Sequence, residues 1–225
     1  MKVIVFDSSS LISLAMSCLL EEFKELRKVF KGKFIITDEV KYEVIDRPLK
    51  IKRFQLEAMK LQQLYLEKIL ESPSALKINS KEIASSSNEI LEKANSTFIG
   101  KNKEIHLIDS GEASCLAISK ILEKKKIENV LAIDERTMRN LVENPEKLSN
   151  FLQKKFHTKI VSKTENFKFF KNFKIIRSAE LAYVAWKKGL IKLKNPDVLD
   201  ALLYSVKFKG CSISGEEIKE IRRMK

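Results

Sequence analysis

The stretch VIVFDSSSLISL, residues 3–14, decides the fold. Val3 to Phe6 is a short β-branched apolar run and reads as a buried strand. Asp7 and three serines follow, all residues that favour a helix N-terminus, and Leu11, Ile12, Leu14, Ala15, Cys18 and Leu19 then recur at helical spacing. The helical pattern runs on from Glu21 to Phe30, and Gly32 can end it. Phe34-Ile35-Ile36 reads as a second strand, with Thr37 or Asp38 capping a short helix through Val40, Glu43 and Val44. Strand, helix, strand, helix is the rhythm of a parallel α/β sheet.

Working outward, Ile51, Phe54, Ala58, Leu61, Leu64, Tyr65 and Ile69 step by threes and fours, so one long amphipathic helix is expected from Lys50 to Glu71. Residues 72–103 are less regular, with a serine patch at Ser85-Ser86-Ser87, and read as a partly helical, mobile insertion. Order returns at Ile108-Asp109-Ser110-Gly111-Glu112, which opens a helix through Ala113, Leu116, Ala117 and Ile121. Asn129 to Ile133 is then a strand ending on Asp134, and Glu135-Arg136-Thr137-Met138-Arg139 opens a helix that stops near Asn144-Pro145. Thr158 to Val161 reads as a short edge strand. Helices are expected at Ser178–Lys188, Pro196–Lys207 and Gly215–Met224, the second capped by Asn195. The expected architecture is α/β: a three-layer α/β/α sandwich on a mainly parallel sheet, with a helical insertion and a helical C-terminal extension. The α/β domain spans 1–165 with its insertion at about 50–105, and 166–225 forms a basic, aromatic segment and helices packed on it.

Composition narrows the function. An apolar fraction of 44% supports a real core. With 43 Lys+Arg against 30 Asp+Glu the net charge is +13, which makes a polyanion the first partner to consider, although a solvated basic surface has the same composition. No apolar run approaches the roughly 18 residues of a membrane span, and the opening residues lack a signal peptide's apolar core and cleavage site. Cys18, Cys115 and Cys211 show no CxxC spacing and read as packed, reduced thiols of a cytoplasmic protein. His106 and His157 lie far apart, so zinc and a histidine-based triad are poor candidates, and hydrolytic chemistry falls to carboxylates.

Two expected strands end on an aspartate, Asp7 and Asp134. In an open parallel sheet the loops beyond the strands' carboxyl ends line the ligand crevice, so both would face one edge. Glu43, after the second strand, and Glu112, at a helix start, join them. Any one of these acids is equally well a helix cap; the combination carries the inference. Hard oxygen ligands without histidine or thiolate select Mg²⁺ or Mn²⁺, and carboxylate-held metal pairs serve in-line displacement at phosphodiesters.

The segments VIVFDSSSLISL, FIITDEVKYEVI, IDSGEASCLAIS and VLAIDERTMR, in that order, resemble the PIN-domain family of metal-dependent ribonucleases, and a larger, archaeal-type branch in particular. The resemblance covers Met1 to about Val44 and Ile108 to about Ile160. It implies an Mg²⁺/Mn²⁺-dependent endoribonuclease of single-stranded RNA, with Asp7, Glu43, Glu112 and Asp134 as the catalytic and metal-holding acids. Ser8 falls where the family often has a hydroxyl or amide near the metal. The third acid is commonly Asp, whereas here it is Glu112, with Asp109 as a rival; Glu39 rivals Glu43, and Glu135 follows Asp134.

Arg136 and Arg139 are candidates to hold a phosphate at the rim, or else to pair with Glu143. Asp197 and Asp200 read as helix capping. Lys168, Lys171 and Lys174 interleave with Phe167, Phe169, Phe170 and Phe173 as a candidate RNA-stacking platform, although packing of most of these rings is the stronger reading. Tyr183 and Trp186 read as core. A dehalogenase-type phosphatase needs a second aspartate where Ser9 stands. The alternative function is a non-catalytic RNA-binding or scaffold module that retains the fold. A homodimer through the C-terminal helices, an antitoxin and an RNA-processing partner are the protein partners the family resemblance brings with it.

Overall fold

The structure is a computed structural model in which residues 1–224 are described. Strand β1 (Lys2–Phe6) lies at the centre of a four-stranded sheet, with β2 (Gly32–Ile35) on one side and β5 (Glu128–Ala132) on the other. A short β7 (Ile175–Ile176) pairs with β5, and every pairing is parallel. The chain leaves β1 toward β2 and later returns to β1's other side as β5, so the strand order reverses between β1 and β5. Right-handed crossovers then put α1 (Ser8–Met16) and α2 (Leu20–Val29) on one face and α6 (Ser110–Lys124) on the other. The result is the expected three-layer α/β/α sandwich on a parallel sheet. Its centre is dry: Val3, Val5, Phe6, Phe34 and Ile35 are fully enclosed, and the rings of Phe6, Phe23 and Phe34 meet at centroid distances of 5.0–5.1 Å.

The fourth strand comes from beyond residue 165. β7, reached through α8 (Pro145–Phe156) and the one-turn α9 (Phe167–Phe170), is followed by α10 (Ser178–Lys187), which packs on α1 and α2, and then by α11 (Val198–Phe208) and α12 (Gly215–Arg223). Residues 160–162 form β6, an edge strand as expected, but of a sheet separate from the main one. They join β3 (Phe98–Gly100) and β4 (Lys103–Glu104) in a separate antiparallel sheet of three strands. The serine-rich stretch lies inside a 16-residue helix, α5 (Ser80–Asn95), whose Ile83, Ser87, Ile90 and Ala94 are buried and which packs along α6. The Ser85–Ser87 patch thus sits on a well-anchored amphipathic helix.

Two helices end where the sequence pattern continues. The helix expected to run from Leu11 to Phe30 breaks at Ser17–Leu19, and the one expected over 50–71 is α4 (Gln55–Leu66), twelve residues long. The cause is shared. Cys18 and Lys68 take left-handed conformations (φ 59° and 57°), and the next residue's N–H reaches back five positions, Leu19 to Leu14 and Ile69 to Leu64. Lys126 ends α6 in the same way, with Ile127 bonding to Leu122. These are Schellman stops built without glycine, closed by an apolar residue that tucks under the last turn. Glycine is the usual sequence mark of such a stop, and Gly189, after α10, and Gly210, after α11, carry it.

Holding a side chain in this conformation costs about 1–2 kcal/mol, part of which glycine returns as unfolded-chain entropy. Lys126→Gly is therefore expected to stabilise the protein by roughly 0.5–1 kcal/mol, seen as a higher urea midpoint at unchanged slope.

Candidate active site

The carboxyl ends of β1 and β5 are locked in register, Phe6 opposite Ala132, and the Asp7 N–H donates to the Ala132 carbonyl at 3.0 Å. Ser10 Oγ spans the same two strands, donating to the carbonyls of Asp7 and Ala132. Asp7 caps α1: its Oδ2 accepts from the Ser9 N–H at 3.0 Å and from Ser9 Oγ at 2.5 Å. Its other oxygen, Oδ1, is buried and has no partner. A buried carboxylate oxygen with an open lone pair facing a cavity is costly unless something cationic or a donor fills the place.

Glu43 arrives from the opposite side. Thr37 Oγ1 caps α3 (Asp38–Lys41) through the Val40 N–H and accepts from Ser114 Oγ on α6, fixing α3 against α6. The helix then widens into a π-turn over Tyr42–Asp46, with Arg47 N bonded to Tyr42 O at 2.9 Å. That turn directs Glu43 and Arg47, four residues apart, to the cavity, while Glu39 does not line it. Gly111 makes the approach possible. A Cβ there would fall 2.6 Å from Glu43 Oε1, so the Glu43 carboxylate rests on bare backbone at the start of α6.

Glu112 closes a capping box with Asp109, its Oε2 accepting the Asp109 N–H at 3.0 Å. Asp109 is exposed and meets His106 Nε2 at 2.7 Å. Glu135 caps α7 (Arg136–Glu143) by accepting the Met138 N–H at 2.7 Å. Asp7, Glu43, Asp109, Glu112 and Glu135, with Ser8, Ser9 and Arg47, line one cavity of about 570 Å³. Burial pushes the Asp7 carboxyl up to about 6, against the pull of Ser9's hydrogen bonds and helped by the charge of Glu43. Glu112 is pushed up to about 8 by burial first, then by the charges of Asp7, Glu135 and Asp109. The acids are thus held close enough to resist joint ionisation.

Asp134 stands apart. It is fully buried and does not line the cavity, because its carboxylate is spent on α10: Oδ1 accepts the Ser178 N–H at 2.8 Å and Oδ2 accepts Ser178 Oγ at 2.6 Å. Its own N–H donates to Ser9 Oγ at 3.0 Å. Ser9 rather than Ser8 is therefore the hydroxyl that organises the first acid, and Glu135 occupies the wall on which Asp134 was expected. Among the described residues no group of three or more His, Cys, Asp or Glu side chains is arranged to hold a metal ion directly.

The remaining candidates sort by contact. Arg139 pairs with Glu143 at 3.0 Å and donates to the Ser212 carbonyl, and Arg136 reaches Ser212 Oγ at 3.4 Å; neither lines the acidic cavity. Asp200 pairs with Arg222 at 2.8 Å. Phe170 is enclosed, with Phe167, Phe169 and Phe173 packed against the core, so the rings form no open platform. Lys168, Lys171 and Lys174 are exposed, and Lys174 borders a hollow with Glu128, at the amino end of β5 and thus the far end of the sheet from the acids. Arg47 went unread in the sequence, although its spacing of four from Glu43 marks it. No helix among the described residues is long and apolar enough to cross a membrane. The chain matches no protein-family model, no curated protein and no solved structure.

Two outcomes follow from this electrostatic arrangement. The folded chain keeps a proton on Asp7 to about pH 6, whereas an unfolded aspartate releases it near 3.8. Stability present below pH 4 is therefore lost as pH rises through 6. At about 1.4 kcal/mol per pKa unit, Asp7→Asn should gain about 3 kcal/mol on the metal-free wild type between pH 4 and pH 7, measured by urea unfolding at each pH. Gly111→Ala should fold with stability changed by no more than about 1 kcal/mol, yet expel the Glu43 carboxylate. The Asp7 carboxyl pKa, followed by NMR, then falls because Glu43's charge no longer presses on it.

Proposed function

We propose that this protein is an Mg²⁺- or Mn²⁺-dependent endoribonuclease of PIN type that hydrolyses phosphodiester bonds in single-stranded RNA. The observation that carries the reading is the unpartnered, buried Oδ1 of Asp7 in a cavity also lined by Glu43, Asp109, Glu112 and Glu135, of which Glu112 is held protonated by burial and by its acidic neighbours. Such a cavity fits a divalent cation better than any anion. Mg²⁺ keeps several of its waters and is commonly held by one or two carboxylates, so a site without three converged side chains is compatible with it. Asp7 and Glu112 are the residues that would hold the ion, with Glu43 and Glu135 as acceptors for its waters. When bound, the metal supplies activation of a water and neutralisation of charge on the leaving oxygen.

The protein's own groups do the rest. Arg47, at the cavity wall, attracts and orients the phosphate. Ser9 engages Asp7's Oδ2, leaving Oδ1 as the oxygen available for ligation. Asp134 acts as a positioning residue, since its backbone holds Ser9 and its carboxylate holds α10. The +13 net charge draws the RNA strand toward an acidic centre that would otherwise repel it. Three unpaired thiols agree with a reducing, cytoplasmic setting.

One observation favours a second reading, a non-catalytic RNA-binding module on the same fold: the strand-end acid Asp134 is consumed by Ser178.

Cleavage of a single-stranded oligoribonucleotide decides between them. Mn²⁺-stimulated cleavage is expected, falling at least a hundredfold in Asp7→Asn and in Glu112→Gln, on the order of the loss for one main electrostatic group in catalysis. Salt-sensitive binding without cleavage, unchanged in both variants, selects the binding module. Independently, Mn²⁺ binding near pH 7 should release protons, because Glu112 is protonated up to about pH 8. Calorimetry in buffers of different ionisation enthalpy reads this release, and it should shrink in Glu112→Gln.

A further inference from the structure

Beside the acidic cavity lies a second, larger one of about 660 Å³, between α1, the π-turn, α4 and the end of α11. Its walls are mostly apolar, including Ile12, Met16, Val44, Pro48, Phe54 and Phe208, with Glu43, Arg47, Glu57 and Lys209 as the charged residues among them. The two cavities share Ile12, Glu43 and Arg47, so they are neighbouring compartments of one surface. We propose that this groove seats an unpaired nucleobase of the RNA strand whose phosphodiester lies over the acids; the proposal rests on the ribonuclease reading and adds a subsite to it.

Three features choose this occupant. The volume falls within the range that takes a small organic ligand. Phe54 and Phe208 are left 41% and 76% exposed at the groove, and the Arg53 guanidinium lies 5.4 Å from the Phe54 ring centroid. Aromatic and guanidinium planes open to solvent are the surfaces on which unpaired bases stack, tolerantly of sequence. Charge supplies the register. Arg47 stands where the cavities meet and Lys209 lines the groove, so a backbone phosphate held at Arg47 leaves its base beside the apolar wall and the next phosphodiester toward Asp7. A strand laid this way satisfies cations, rings and acids together.

The test is equilibrium binding of a short, labelled single-stranded oligoribonucleotide to the full chain in EDTA, followed by fluorescence anisotropy. Phe54→Ala/Phe208→Ala should weaken binding about tenfold or more. A wholly abasic strand of equal length should lose a similar factor on the wild type, and little further on the variant. Should the double variant fail to fold, Phe208→Ala alone, at the more exposed ring, carries the test with a smaller loss. Equal affinity for wild type and variant, or for the abasic and base-bearing strands, overturns the proposal. A wild-type dimer that the same substitutions convert to monomer also overturns it, because a second copy then fills the groove. Cleavage with Mn²⁺ is scored separately. Base-dependent binding without cleavage keeps the groove and rejects the nuclease, and cleavage with base-independent binding does the reverse.

Discussion

The end of the sheet is held by a relay of hydrogen bonds that crosses three parts of the chain. Ser178, at the start of α10, donates twice to the Asp134 carboxylate; the Asp134 N–H donates to Ser9 Oγ; and Ser9 donates to Asp7. Every member except part of Ser9 is buried, so each unmade bond would leave a desolvated polar group costing about 1–3 kcal/mol. The relay fixes the helix after β1, the turn after β5 and the first turn of α10 as one unit. It also leaves a single oxygen, Asp7 Oδ1, without a partner, and the acidic cavity is organised around that oxygen.

A second set of ties encloses the same corner. Arg177, next to Ser178, is largely buried and holds Glu180, Glu217 and the Ser212 carbonyl. Burial alone would push its proton affinity down, but the bonds and charges of Glu180 and Glu217 outweigh that and hold it up. Ser212 also accepts from Arg139 and donates its N–H to the Asp134 carbonyl. The cationic side chains of this corner are thus consumed within the fold. Arg47, closing the π-turn across the cavity, is the arginine turned to the acids. A net positive chain therefore presents an acidic hole, because its positive charge is tied down or dispersed where the hole lies.

The two cavities are unlike in chemistry because they draw on different kinds of element. The acidic one is built from strand ends and helix starts, where unpaired backbone donors and helix dipoles tolerate carboxylates. The apolar one is built from helix sides, α1 and α4, and the last turn of α11. The π-turn contributes to both, with Glu43 and Arg47 placed at their common wall.

Local chemistry was sufficient for much of this. A β-branched run followed by Asp7 and three serines can hardly be other than a buried strand feeding a capped helix, and its counterpart at 129–134 fixed the parallel sheet and its acidic end. Asp7, Glu43 and Glu112 were legible as neighbours because strand-end and helix-start positions converge in any such topology. Tertiary structure alone decided the rest. Helix stops at Cys18, Lys68 and Lys126 carry no glycine, since an apolar residue docking on the core can outweigh the strain of a left-handed side chain. Asp134 and Glu135 are adjacent and chemically alike, and which one faces the cavity depends on where Ser178, forty-four residues on, presents its donors. Hydrophobic period and capping act over a few residues, but the partner of a buried carboxylate is set by whatever the finished packing brings beside it.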